Sequence, residues 1–300
     1  MKILIVKLGA IGDVLRTTPI LRVLKGEKFW LTSKKSYGIL KRNPYLKEIF
    51  VKEKDKKVLK EFEFDWVINL DEEEDIAKFI SKLNYKKISG VYYDFKEQKL
   101  KYTPETSCWF DMSLISKFGK KKADELKWKN RKSYQELIFE ALGFEFKGEE
   151  YILNIRPKQV KDKVIALEKR AGEVWPSKKW FGYDLLYDKL KDQFKVFFLK
   201  QRKTLEEYIL DINNCKILVT GDTLALHIGL ALKKYVIGIF TCTSPWEIYD
   251  YGRLVKIISP KLKKFFYTRK YCPEATRAIS VEKVLKTIYS ILKDDRYCNN

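Results

Sequence analysis

Two short stretches of this chain place chemistry-bearing residues directly behind apolar runs. The first is Gly221-Asp222-Thr223-Leu224-Ala225-Leu226-His227, which follows Lys216-Ile217-Leu218-Val219-Thr220. That order predicts a buried strand, a tight turn and a helix whose first N–H groups are capped by Asp222 or Thr223. N–H groups at a helix start, together with the positive end of the helix dipole, also favour a bound phosphate. The chain's one histidine, His227, lies one turn into this helix. The alternative is an ordinary capped helix with a core or surface histidine. The second stretch is Lys7-Leu8-Gly9-Ala10-Ile11-Gly12-Asp13, behind a strand predicted over residues 2–8. Its Gly-x-x-Gly spacing matches neither Gly-x-Gly-x-x-Gly nor a phosphate loop ending in Gly-Lys-Ser/Thr, so nicotinamide and ATP-hydrolysis readings gain nothing. Gly9 and Gly12 let backbone approach a ligand closely and aim Asp13 at it. Asp13 is then either a general base for a hydroxyl proton or the N-cap of the following helix.

A third segment, Gly172-Glu173-Val174-Trp175-Pro176-Ser177-Lys178-Lys179-Trp180, sits between a strand and a helix. Lys178 there suits neutralisation of a diphosphate as a compact point charge. In so lysine-rich a chain, a solvated surface role stands beside that reading, and Trp180 reads as core.

The elements that must carry these loops follow from periodicity. Near-continuous apolar runs at residues 2–8, 29–32, 49–51 and 66–70 predict strands of a parallel sheet. Helices are expected over 14–24, with a kink at Pro19, and over 73–83. Residues 96–132, basic and aromatic, read as loops with short helices. A helix over 133–142 ends at Gly143, a C-cap position. Residues 149–159 read as a linker. A second alternation follows, with strands at 164–167, 194–199, 216–220 and 235–240, helices at 183–192 and 205–212, the His227 helix, and a last helix at 281–292. The βαβ order predicts an α/β chain of two doubly wound halves. The boundaries drawn are 1–155 and 156–300, with the last helix placed to pack back toward the first domain. Strand carboxyl ends of both halves would then line a deep cleft between them.

Composition narrows the function classes. With 45% hydrophobic and 34% charged residues, the 300-residue chain is globular and long enough for two cores. No run reaches the roughly 18 apolar residues a spanning helix needs. The opening apolar run is broken at Gly9–Asp13, too early for a signal peptide, so a cytoplasmic location is expected. Five scattered cysteines (Cys108, Cys215, Cys242, Cys272, Cys298) contain no Cys-x-x-Cys pair, and neither a disulfide framework nor a metal site is expected. The net charge of +21 predicts attraction to something anionic: nucleic acid, acidic lipid or a phosphorylated substrate. No zinc finger, arginine-rich arm or RNA-binding aromatic signature supports nucleic acid.

Taken together, MKILIVKLGAIGDVLRTTPILRVL, GEVWPSKKW and VTGDTLALHIGLALKKYVIGIFTCTSPWEIYDYGR resemble glycosyltransferase family 9, the ADP-heptose:lipopolysaccharide heptosyltransferases. The second of these follows the pattern Gly-x-x-x-Pro-x-Lys-x-Trp. The resemblance implies a GT-B fold, two facing Rossmann-like domains with the acceptor on the first and a nucleotide sugar on the second. It implies inverting transfer, with Asp13 matching the proposed base and Lys178 matching a lysine on the donor phosphates. Asp222, Thr223, Leu224 and His227 fall at the nucleotide-sugar site. No metal and no cofactor is implied, the nucleotide sugar being a substrate. The partners implied are that donor and a glycan or glycolipid acceptor, and the net charge adds peripheral association with an anionic membrane surface at the inner face. Nucleic acid is not among them.

The chain departs from the family at four places. Leu224 replaces a glycine that usually follows Asp-Thr. The Phe-Gly-Pro-Thr block reads Phe240-Thr241-Cys242-Thr243. The glutamate that holds the ribose has no counterpart in Lys200–Thr204. The acidic run Asp71-Glu72-Glu73-Glu74-Asp75 stands where a Gln-Gly and a basic residue often occur, as either a helix start or an acceptor site disfavouring anions. The reading reached is an inverting transferase moving a sugar, heptose from ADP-heptose, onto a hydroxyl of a lipopolysaccharide-type core or related glycoconjugate. A GT-B nucleotide-sugar epimerase or hydrolase, and a basic nucleic-acid-binding protein without catalysis, stand as alternatives.

Overall fold

A computed structural model of the chain describes residues 1–113 and 118–293. Cys298, the end of the predicted second domain and four residues of the 96–132 stretch lie outside the described residues. The chain divides into two units, Met1–Asn154 and Ile155–Asn300.

In the first unit, strands β1 (Lys2–Val6), β2 (Glu27–Thr32), β3 (Glu48–Val51), β4 (Glu63–Asn69), β5 (Asn84–Asp94) and β6 (Lys99–Tyr102) form one sheet in the order β3-β2-β1-β4-β5-β6. All pairings are parallel except the β5–β6 hairpin. The central strands are apolar because helices cover both faces, as parallel sheets require. Leu4, Val6, Phe29, Leu31, Phe50 and Val67 are buried in one cluster with Ile76 and Ile80 of helix Glu74–Ile80. Strand order reverses between β1 and β4, the place where open α/β sheets bind ligands at strand carboxyl ends.

The helix expected over 14–24 is shorter and starts earlier. An α-helix runs Ile11–Thr17, and Thr18–Arg22 is a 3-10 helix with Pro19 in its first positions. Proline has no N–H to return to Leu15, so the carbonyl of Leu15 accepts from the Thr18 N–H and from Thr18 Oγ1 at 2.7 Å instead. The 96–132 stretch is not only loops and helices, since β6 pairs with the far end of β5. Neither strand was expected, because β5 begins with the exposed, lysine-bearing residues of Asn84–Lys87 and only its later half is buried.

The helix Tyr134–Ala141 carries the capping box its sequence allows. Ser133 Oγ accepts from the Glu136 N–H at 3.2 Å, and the Glu136 carboxylate accepts from the Ser133 N–H at 2.6 Å. Gly143 follows with φ +79°, the left-handed conformation that ends a helix cheaply only for glycine.

The second unit is an all-parallel sheet of β7 (Val164–Glu168), β8 (Lys195–Phe198), β9 (Ile217–Gly221), β10 (Tyr235–Phe240) and β11 (Leu254–Ile258), ordered β11-β10-β9-β7-β8. The edge strand β11 was not anticipated. The helix Leu224–Ala231 is apolar almost all round and buried, and helix Tyr183–Leu190 covers the sheet with Tyr183, Leu186 and Leu190. The last helix, Val281–Lys293, packs Val281, Val284, Ile288 and Ile291 into this unit's core. The strand order here reverses between β7 and β9.

Ser133→Ala should remove one half of the capping box and cost about 1 kcal/mol. A thermal melt lowered by a few degrees checks this, and an unchanged midpoint would show that tertiary packing alone sets the helix start.

Candidate functional site

The reversal between β7 and β9 collects most of the predicted residues. Lys178 ends a single 3-10 turn, Pro176–Lys178, in the loop after β7. Its Nζ lies 2.8 Å from Asp222 Oδ2, which follows β9, and both side chains are largely buried. The same carboxylate oxygen accepts from Thr243 Oγ1 at 2.8 Å, so the loop after β10 joins the cluster. Burial alone would raise the Asp222 pKa, yet Lys178 and His227, with the hydrogen bonds from Lys178 and Thr243, hold it well below the usual carboxylate range. Asp222 therefore stays ionised, and the pair carries a fixed ammonium at the carboxyl edge of the sheet.

Main-chain packing locks this arrangement. A Cβ on Gly221 would stand 2.7 Å from the Lys178 carbonyl oxygen, so only glycine lets the Lys178 loop rest on the end of β9. Ser177 is fully buried: its carbonyl accepts from Thr241 Oγ1 at 2.5 Å, and its Oγ accepts from the Cys272 N–H at 2.9 Å. Trp180 is core, with Nε1 donating to the Ile279 carbonyl at 2.9 Å.

The helix carrying His227 starts differently from expectation. Thr223 is its N-cap residue, with extended backbone, but no side chain caps the helix. The Thr223 hydroxyl instead pairs with Thr220 Oγ1 at 3.0 Å, and Asp222 is engaged by Lys178 and Thr243. Both candidate caps are thus spent elsewhere, which leaves the first turn to a ligand or water. Leu224 is the first helical residue; its φ is not positive, so no glycine is needed there. His227 is 4% exposed, near enough to Asp222 to favour its ionised form.

Beside this cluster, at the end of β7, Glu168 is buried and accepts from Arg170 Nε at 2.8 Å, Arg170 Nη2 at 2.6 Å and Tyr208 Oη at 2.5 Å. Arg170 also donates to Gln201 at 3.1 Å and to the Lys200 carbonyl at 3.3 Å. The segment after β8 is therefore met by a guanidinium held in place. Arg170 and Thr243 were not picked out from sequence. Thr243 had a signal, since it keeps the threonine of the Phe-Gly-Pro-Thr block. Arg170 had none beyond its position after a strand.

Gly9, Gly12 and Asp13 belong to the other unit, after β1 at its own strand-order reversal. Gly9 is in the loop, and a Cβ there would meet nothing within 4 Å. Gly12 is not a loop residue: it is buried in the first turn of helix Ile11–Thr17. Ala10, not Asp13, is the N-cap, so the Asp13 carboxylate is free of a capping role. It is 41% exposed and pairs with Arg16 at 3.6 Å, whose guanidinium lies 3.8 Å over the Tyr134 ring. The β1 loop is held from β4: Asp71 accepts from the Leu8 N–H at 2.6 Å and lies 3.6 Å from Lys7 Nζ. Burial pushes the Asp71 pKa up, against the pull of Lys7. The rest of the acidic run is partnered within this unit as well. Glu72 accepts from Tyr102 at 2.8 Å and from Ser113, Glu73 pairs with Lys52, Glu74 with Lys78 and Asp75 with Lys56.

Among the described residues, no group of three or more His, Cys, Asp or Glu side chains could hold a metal ion, and no helix is long and apolar enough to cross a membrane.

Lys178→Ala would leave Asp222 without its nearest cation in a buried site. Breaking such a pair costs about 3–5 kcal/mol, with the lower end apt here because both side chains keep some exposure. Because the folded pKa of Asp222 is depressed, its stabilising contribution is present above the unfolded value of about 3.9 and is lost as pH falls through the folded value. The variant should therefore unfold at a higher pH on acidification, which an acid titration followed by circular dichroism reads directly.

Residues 186–276 match the model of glycosyltransferase family 9 (heptosyltransferase). The fold is similar to that of the family 9 glycosyl transferase from Veillonella parvula DSM 2008, at 17% identity and a TM-score of 0.67, over 96% of each chain. It is also similar to E. coli heptosyltransferase WaaC with ADP-2-deoxy-2-fluoro heptose, at 15% identity and a TM-score of 0.57, over 97% of this chain and 99% of that one. A third likeness is to TibC from enterotoxigenic E. coli H10407, described as an iron-containing dodecameric glycosyltransferase, at 13% identity and a TM-score of 0.55, over 97% and 77%. No curated protein matches by sequence. The chain thus has a fold of the GT-B type, similar to those of family 9 structures, and residues 186–276 of its second unit match the family 9 model.

Proposed function

We propose that the protein is a family 9 glycosyltransferase that moves a sugar from a nucleotide-sugar donor to a hydroxyl of a glycan or glycolipid with inversion, and that the donor is ADP-heptose. The observation that carries the reading is the fixed Lys178 ammonium beside a helix start that no side chain caps. A diphosphate fits that combination, since cation and backbone N–H groups both stabilise negative charge. The WaaC structure described with ADP-2-deoxy-2-fluoro heptose supports the choice of donor.

In this mechanism Asp13 accepts the proton of the acceptor hydroxyl. The oxygen attacks the anomeric carbon from the face opposite the diphosphate, and the bond to the diphosphate oxygen breaks as the new one forms. Charge accumulating on the leaving diphosphate is received by Lys178 and the N–H groups at Thr223 and Leu224. Asp222 holds Lys178 in place, and His227 lines the donor site. Gly9 leaves room beside the base, and Gly12 sets the helix that carries it. Acceptor binding falls to the first domain and donor binding to the second. The leaving group is stabilised by fixed protein charges, so divalent metal is not called on. The +21 charge suits an enzyme working at an anionic inner membrane face on a glycolipid acceptor.

Asp13→Asn should lower kcat by about 10² to 10⁴ while ADP binding stays within twofold of wild type; retention of half the wild-type kcat would remove Asp13 from the mechanism. Lys178→Ala and His227→Ala should each weaken ADP binding by calorimetry, with Lys178→Ala also lowering kcat. Product analysis with ADP-heptose, with and without an acceptor glycan, separates transfer from epimerisation or hydrolysis. Activity should persist in excess EDTA, and loss restored by magnesium or manganese would overturn the metal-independent step.

A further inference from the structure

The second unit holds a recess of about 980 Å³ at the opposite end of its sheet from Lys178 and Asp222. Its walls come from Lys216 before β9, Lys233 and Lys234 before β10, Arg253 before β11, and Arg156 and Lys158 from the segment leading to β7. Six of its fourteen lining residues are basic and none is acidic, in a chain with 61 basic and 40 acidic residues. Strand β9 spans Ile217–Gly221, so the recess and the Lys178 pair are roughly 15 Å apart at about 3.3 Å per residue.

We infer that this recess is a second anion-binding site, built for a ligand carrying two or more phosphate groups, free or on a lipid headgroup. Three observations beyond the charge count support it. Lys234 is 4% exposed, and among the described residues its ammonium donates to the carbonyls of Lys158 at 2.5 Å and Asn213 at 2.8 Å. An ammonium has three donors, so one is left over, and a buried cation with only neutral partners is costly until an anion arrives. Burial accordingly pulls the Lys234 pKa down. Lys233 adopts φ +55° directly after the helix, where the 233 N–H bonds the Leu230 carbonyl and the 234 N–H the Gly229 carbonyl. Glycine is the usual residue there, and a lysine held in that conformation stores about 1 kcal/mol of strain. Lys158 Nζ is engaged by the neutral Asn214 side chain at 2.9 Å, and Arg253 by the Leu230 carbonyl at 2.8 Å. Asp250, outside the lining, accepts from the Gly252 N–H at 2.9 Å. Six like charges around one recess repel one another within a screening length of about 8 Å, and several phosphates offset that together. The volume is at the upper end of ligand cavities, which suits a polyphosphorylated molecule or headgroup rather than a single small ion.

The test titrates inorganic tripolyphosphate into the full chain, into Lys216→Gln/Lys233→Gln and into Lys178→Ala, by calorimetry. Neither replaced lysine of the double variant is buried, and its thermal melt is compared with that of wild type to confirm folding. The double variant should lose about tenfold or more in affinity for this site, as expected for two charged contacts, while ADP binding stays at the wild-type value. Lys178→Ala should keep a tripolyphosphate site of wild-type affinity. Cosedimentation with vesicles containing phosphatidylinositol bisphosphate, whose headgroup carries several phosphates, against phosphatidylcholine vesicles, then separates the sources. Vesicle binding that falls in the double variant supports a lipid headgroup, and tripolyphosphate binding that falls without vesicle binding supports a free ligand. Equal binding of both probes by wild type and double variant, no binding of either probe, or a tripolyphosphate site lost only in Lys178→Ala, overturns the inference.

Discussion

The ion pair between Lys178 and Asp222 is the constraint on which the architecture of the second unit turns. Neither charge is tolerable alone in so buried a place, and together they are held at 2.8 Å. The magnitudes separate it from the chain's many surface pairs. An exposed pair such as Lys191–Asp188 is worth about 0–1 kcal/mol, whereas removing one partner of a buried pair costs several times more. Keeping the pair intact ties together the loop after β7, the turn after β9 and, through Thr243, the loop after β10. Gly221 follows from the same constraint, because no side chain fits between the Lys178 carbonyl and the end of β9.

A comparable but weaker device operates in the first unit. Asp71, at the end of β4, takes the Leu8 N–H and lies beside Lys7, which fixes the loop that leads to Asp13. Arg16 is in turn held over Tyr134, and Tyr134 Oη pairs with Thr17 at 2.7 Å. The Asp13 carboxylate stays part-exposed, paired with Arg16, within a rigid surround.

Most parallel strands were legible because burial on both faces leaves an apolar run that polar substitution cannot disguise. The strand Lys216–Thr220 and the helix behind it are the clearest cases. What sequence could not resolve were elements whose cue is shared with another state. The lysine-bearing outer half of β5 and the short edge strand β11 were assigned no element, neither being covered on both faces. Pro19 announced a break but not that the chain would continue as a 3-10 turn. At the site, residue types were legible and their partners were not. Asp222 and Thr223 have the chemistry of caps, yet Lys178 and Thr243, 44 and 21 positions from Asp222, and Thr220, three positions before Thr223, compete for them. The acidic run likewise looked available from sequence, whereas each of its carboxylates has a partner. Bulk charge was the least informative property, since +21 says nothing of its concentration at the amino ends of β9 to β11.

The atoms that seat the Lys178 loop are mainly backbone atoms: the Ser177 carbonyl under Thr241, the Lys178 carbonyl over Gly221, and the Cys272 N–H on Ser177. Backbone atoms do not change when codons do. Gly172, Glu173 and Val174, just upstream, are exposed, with Val174 at 59%. Glu173 and Val174, which the Gly-x-x-x-Pro-x-Lys-x-Trp pattern leaves open, can drift in sequence while the lysine stays where it is, so divergence can retune what the loop meets in solution without having to rebuild its anchorage.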